Sequence, residues 1–115
     1  MILIAGTVEF DPARRDTALA AAAPLLEPTR AQPGCLAYVW SADPVAAGRV
    51  HVFEAWADER SLAAHFAGPW YKAMLGVLGG NGLRKADVAK YRSDLQEPVY
   101  DASGRPRADF FTAGS

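Results

Sequence analysis

The spacing of hydrophobic positions changes several times along the chain, and each change marks an element. Ile2 to Phe10 are β-branched or apolar, with polar residues entering from Thr7, which predicts a strand. Asp11-Pro12 is a helix start, because Asp accepts from free N–H groups and Pro suits a first turn. From Ala13 to about Arg30, the residues Leu19, Ala22, Ala23 and Leu26 recur at helical spacing. Pro24 and Pro28 each lack a donor and are expected to kink or shorten this helix. Gln32-Pro33-Gly34 stops it.

Cys35 to Ser41 predicts a second strand, with Leu36, Tyr38 and Trp40 on one face and Cys35, Ala37 and Val39 on the other. Ala42 to Gly48 reads as a hairpin loop, and Arg49 to Trp56 as the third strand. Its alternation separates Val50, Val52, Glu54 and Trp56 from His51, Phe53 and Ala55. Asp58 caps a helix to about Phe66 with Leu62, Ala63 and Phe66 as its inner stripe. Gly68-Pro69 interrupts it, and a short helix runs on to Leu78. Gly79-Gly80-Asn81-Gly82 reads as a loop without the Lys-Ser/Thr of a phosphate loop, and Asp87 to Leu95 as the last strand.

Strand, helix, hairpin, helix, strand is the split arrangement of the ferredoxin-like α+β fold, β-α-β-β-α-β. It implies a four-stranded antiparallel sheet with both helices on one face. The other face, carrying His51, Phe53 and Ala55, is left open. An open apolar face calls for a cover, and a two-fold homodimer through that face is the simplest one. Residues 1–96 form this domain. The tail 97–115 contains Tyr100, Phe110 and Phe111, so it is expected to pack on the domain or on the partner subunit.

Composition narrows the function classes. Apolar residues make up 50% of the 115, more than a core this small needs, which leaves some to line a pocket or meet a partner. Twelve basic and 13 acidic residues are well mixed, so no nucleic-acid footprint is expected. No apolar run approaches the roughly 20 residues of a membrane helix, and no membrane partner is expected. The first residues lack the basic lead of a signal peptide, which points to the cytoplasm. Cys35 is the single cysteine and is expected to be a buried hydrophobe. His51 and His65 lie on opposite faces and do not form a metal site.

Three segments carry a likeness to a known family: Pro33-Gly34-Cys35-Leu36-Ala37-Tyr38, Val52-Phe53-Glu54-Ala55-Trp56-Ala57-Asp58 and Leu62-Ala63-Ala64-His65-Phe66. A Pro-Gly-Cys opening of strand two, a Glu-x-Trp ending strand three and a His nine residues beyond that Trp resemble the antibiotic biosynthesis monooxygenase family of dimeric α+β barrels. The resemblance covers roughly residues 1–96 and is nearest the quinol monooxygenase branch. It implies oxidation of a small planar phenolic, quinol or polyketide-like substrate. It also implies no metal, flavin or haem cofactor, with O₂ as co-substrate and the substrate itself giving electrons after losing a proton. Where the anthrone oxygenases carry Asn and Tyr, this chain has Val52 and Leu62, and of their site Trp56 alone matches. Where the haem-degrading branch carries its Asn, Trp and ligating His, this chain has Thr7, His65 and Leu75, so haem degradation is not expected.

His65 is the expected proton acceptor, having the side chain best suited to that task near neutral pH. Glu54 is either a second base or a structural carboxylate paired with Arg84 or Arg92, and Tyr71 is expected to help orient the substrate. Trp56, Val52, Leu62, Phe66, Trp70 and Met74 are expected to hold it, with Trp56 as a stacking wall and Phe66, Trp70 and Met74 as a lid. Two other functions fit the same fold: a non-catalytic small-ligand-binding or stress-response dimer, and a muconolactone-type isomerase.

Overall fold

The structure is a computed structural model that describes residues 1–112. Four strands and three helices follow in the order β1 (Ile2–Phe10), α1 (Arg15–Arg30), β2 (Cys35–Ala42), β3 (Arg49–Trp56), α2 (Glu59–Ala67), α3 (Pro69–Gly80) and β4 (Leu83–Arg92). The strands form one antiparallel sheet in the order β2-β3-β1-β4, which is the ferredoxin-like topology with the second helix split in two.

The core lies between the sheet and the helices. Ile4, Val8 and Phe10 of β1 and Val50, Val52 and Trp56 of β3 pack against Ala18 and Ala22 of α1, Leu62 of α2, and Met74 and Leu78 of α3. On the opposite sheet face Phe53 and Val39 are exposed. The alternation read in β3 therefore divides inner from outer side chains as expected. One exception is Ala55, which is buried although it points outward.

Several local expectations are corrected. α1 runs unbroken through Pro24 and Pro28. The carbonyls that lose a donor belong to the exposed Ala20 and Pro24, where water can satisfy them. Its buried stripe is Ala18, Ala22 and Thr29, while Ala23 is exposed. A turn at residues 12–14 precedes the helix, and Asp11 accepts from the Ala13 N–H at 2.8 Å. Gly79 and Gly80 complete α3 instead of forming a loop, and the Asn81 side-chain amide donates to the Val77 carbonyl at 2.8 Å.

β4 begins at Leu83 and ends at Arg92, earlier at both ends than expected. It is an edge strand exposed on both faces beyond Leu83, so burial imposes no alternation on its sequence. In β2 the register shifts between Cys35 and Ala37. This bulge turns Leu36 out to 59% exposure and sets Cys35, opposite Trp56, on the inner side with Tyr38 and Trp40.

The tail folds on itself. The Arg107 N–H donates to the Val99 carbonyl at 2.8 Å, and Asp101 holds the turn by accepting from the Ser103 and Arg105 N–H groups. The Phe111 N–H donates to Glu97 at 3.1 Å, and the Arg107 guanidinium lies 5.0 Å over the Phe111 ring. Tyr100 and Phe110 stay exposed.

Candidate active site

The inner floor of the sheet is a grid set by strand register. One cross-strand row is Tyr38, Glu54, Ile4 and Lys90; the next is Cys35, Trp56, Ile2 and Arg92. α2 lies above the second row. Its start is fixed by Asp58, whose carboxylate accepts from the Ser61 N–H at 2.8 Å. Its 3.6-residue period then turns Leu62 and His65 inward.

His65 is 2% exposed and caged by rings. It stacks on Trp56 with centroids 4.6 Å apart, and Tyr71, Tyr38 and Phe66 follow at 5.6, 5.8 and 5.8 Å. Its Nδ1 lies 2.8 Å from the Gln32 amide oxygen. An amide oxygen only accepts, so Nδ1 carries the proton and the neutral ring keeps a lone pair on Nε2. Burial holds the His65 pKa below its ordinary value, which favours that neutral form.

Glu54 is buried and accepts from the Trp56 indole N–H at 3.0 Å. Neither Arg84 nor Arg92 is its partner; Arg84 instead pairs with Asp11 at 2.9 Å. Burial pushes the Glu54 carboxyl up, and the Trp56 hydrogen bond pulls against that shift. Tyr38, opposite Glu54, is buried too; burial and then the Glu54 charge push its phenol upward. Sequence reasoning missed Tyr38 and Gln32. Tyr38 had a findable signal, since it shares the inner face with Glu54. Gln32 had none, because only the folded chain brings that loop residue to α2.

A cavity of about 510 Å³ opens between α2 and β4 and is lined by Ile2, Glu59, Leu62, Ala63, Phe66, Lys90, Tyr91 and Arg92. That volume suits a small organic ligand. Of the expected site residues, Leu62 and Phe66 line it. His65 lines a smaller cleft of about 240 Å³ on the other flank of α2, beside Gln32, Pro33 and Arg60. Trp56 is fully buried with one face taken by His65, so it offers no open stacking wall. Val52 and Met74 are core residues. Trp70 is half-buried and makes no ring contact among the described residues. Tyr71, half-buried, meets Phe66 edge-on at 5.0 Å. Phe66 thus belongs to both groups, lining the large cavity and touching the His65 cage. No cluster of three or more His, Cys, Asp or Glu with metal-binding geometry is present among the described residues.

Residues 1–76 match the model of the family described as "Antibiotic biosynthesis monooxygenase". An uncharacterized protein of Synechocystis sp. is 29% identical over 70 residues, which are 61% of this chain and 48% of that protein. The chain therefore spans about half the length of the curated relative it matches. Among solved structures, a candidate antibiotic biosynthesis monooxygenase from Deinococcus radiodurans superposes with a TM-score of 0.78 at 19% identity, covering 88% of this chain and all of that one. Another from Nitrosomonas europaea gives 0.74 at 14% identity, covering 83% of this chain and all of that one. At such identities the likeness is one of fold. Among the described residues no helix is long and apolar enough to cross a membrane.

Proposed function

The chain belongs to the antibiotic biosynthesis monooxygenase family, and from that premise we propose that it is a cofactor-independent monooxygenase acting on a small planar phenolic or quinol-like substrate. The observation that carries this reading is the α2–β4 cavity with Phe66 on its wall, next to a buried neutral imidazole. The substrate ring rests on Ile2, Leu62 and Phe66. His65 accepts a proton at Nε2 once Phe66 swings aside, and Gln32 holds the ring in the tautomer that leaves Nε2 free. Tyr71 and Tyr38 close the cage against water, which keeps the substrate anion from being reprotonated.

The reaction balances without a further reagent. The substrate anion passes one electron to O₂, and the resulting radical pair joins as a peroxide. Loss of water leaves a carbonyl. One CH₂ group and one O₂ give one C=O group and one water.

The working unit in this reading is a homodimer joined through the outer sheet face, where Val39, Phe53 and Tyr91 are exposed and Leu3 is half-buried, as the family is generally dimeric. One observation favours a second reading, a non-catalytic ligand-binding dimer: Glu54 and His65 already have structural partners in Trp56 and Gln32, and neither lines the larger cavity.

Oxygen uptake by the chelator-treated protein with hydroquinones, naphthols and anthrones separates the two. The oxygenase reading expects uptake that survives chelation and falls at least about tenfold, or 1.4 kcal/mol of barrier, in His65→Gln. Absent uptake with ligand-induced thermal shifts means the binding protein.

A further inference from the structure

The α2–β4 cavity has an electrostatic polarity that the phenolic reading alone does not use. At its β4 side stand Lys90 and Arg92, both from the inner face of the strand, opposite Ile4 and Ile2. They are two residues apart on one strand face, about 7 Å. Neither forms an ion pair or hydrogen bond among the described residues. Two strand arginines do find carboxylates: Arg84 of the same strand pairs with Asp11 at 2.9 Å, and Arg49 of β3 with Glu9 at 2.6 Å. Glu59, from the first turn of α2, lines the cavity as well but reaches neither cation. Two cations face one carboxylate, so the β4 side is left with an unanswered positive charge. The opposite wall is apolar: Leu62, Ala63 and Phe66.

We propose that the cavity takes a planar aromatic carboxylate, with its ring against Leu62, Ala63 and Phe66 and its carboxylate received by Lys90 and Arg92. Arg92 offers the planar fork that a carboxylate fits, and Lys90 adds a point charge beside it. These two residues determine specificity and take no part in proton transfer. The inference rests on the reading of this cavity as the ligand site.

The test compares 2-naphthoate with the neutral 2-naphthalenemethanol by calorimetry on the full chain at low salt. The acid is expected to bind at least about tenfold more tightly, the worth of one charge-assisted hydrogen bond. Lys90→Gln and Arg92→Gln each lower acid affinity several-fold, and the double variant erases the preference while leaving alcohol affinity unchanged. Lys85→Gln, on the outer face of the same strand, changes neither. Ala63→Trp fills the cavity and weakens both ligands. Raised salt weakens only the acid.

Equal affinity for acid and alcohol overturns the proposal. So does a preference that survives the double variant, or acid binding that survives Ala63→Trp. An alcohol that binds without any preference for the acid sinks this inference and leaves the cavity reading standing. If neither molecule binds, both fall. Oxygen uptake is read separately and decides neither outcome.

Discussion

His65 lies nearly parallel to Trp56, with ring centroids 4.6 Å apart and an interplanar angle of 27°. The contact joins two hydrogen bonds into one run, one donated by His65 to Gln32 and one donated by Trp56 to Glu54. Trp56 is fully buried, and its N–H is the one hydrogen-bond donor to the buried Glu54 carboxylate among the described residues. Trp56→Phe keeps a ring under His65 but strands that carboxylate, at a cost of about 1–3 kcal/mol. Adding Glu54→Met removes the stranded group, and the double variant should be more stable than Trp56→Phe alone. Urea unfolding checks the order. A double variant that is the less stable of the two would mean the carboxylate has another partner.

Glu54 and His65 give opposite pH dependences to folding. The Glu54 pKa is raised above its ordinary 4.5 by burial, so its contribution is full below 4.5 and is lost as pH rises through the folded value. The His65 pKa is depressed below its ordinary 6.5 by burial, so its contribution is full above 6.5 and is lost as pH falls through the folded value. Glu54→Gln should therefore leave a stability that rises with pH up to about 6.5, whereas His65→Phe should leave one that declines from about 4.5 upward. Asp43, Asp58, Asp101 and Asp109 have lowered pKa values, which puts their windows below 3.8 and out of the way. Urea midpoints across this range decide. Parallel pH profiles for the two variants would contradict the assignment.

Phe53 is 42% exposed at the centre of the open sheet face, opposite Ala5 on one side and Val39 on the other. A charge at this partly exposed position can be hydrated in a lone chain, at some cost in stability, but faces full desolvation in a dimer sealed through the sheet. Phe53→Asp should shift light scattering from twice the chain mass to the chain mass. An intact Phe53→Asp dimer would place the interface elsewhere.

What could be read in the sequence depended on whether burial disciplined it. The inner residues of β3 and the Asp58 cap were legible because one face is packed and one helix end needs an acceptor. β4 was not, since an edge strand bare on both sides keeps no alternation. The bulge at Leu36 was invisible because a register shift leaves composition unchanged, and it moved Cys35 to the inner side. The candidate site was legible only in part. Strand parity put Glu54 with Trp56 two residues on, and their hydrogen bond is local to β3, but the Gln32 anchor and the Lys90–Arg92 side of the cavity come from contacts distant in sequence.

Gly34 fixes how β2 enters beneath α2. Its φ of 78° lies in the left-handed region, and a Cβ there would run into the Ser61 side chain. Its carbonyl also accepts from the Ala57 N–H at 2.8 Å, tying the start of β2 to the end of β3 just before the Asp58 cap. Gly34→Ala therefore combines backbone strain with a clash, costing about 1–3 kcal/mol. Ser61→Gly removes the clash and leaves the strain, so it should recover only part of the loss in the Gly34→Ala background. Thermal unfolding of the two single variants and the double gives the split. Full recovery would show that the backbone accommodates Ala there without strain, and no recovery that α2 itself shifts in Gly34→Ala to relieve the contact with the Ser61 Cβ and Oγ, leaving strain as the whole loss.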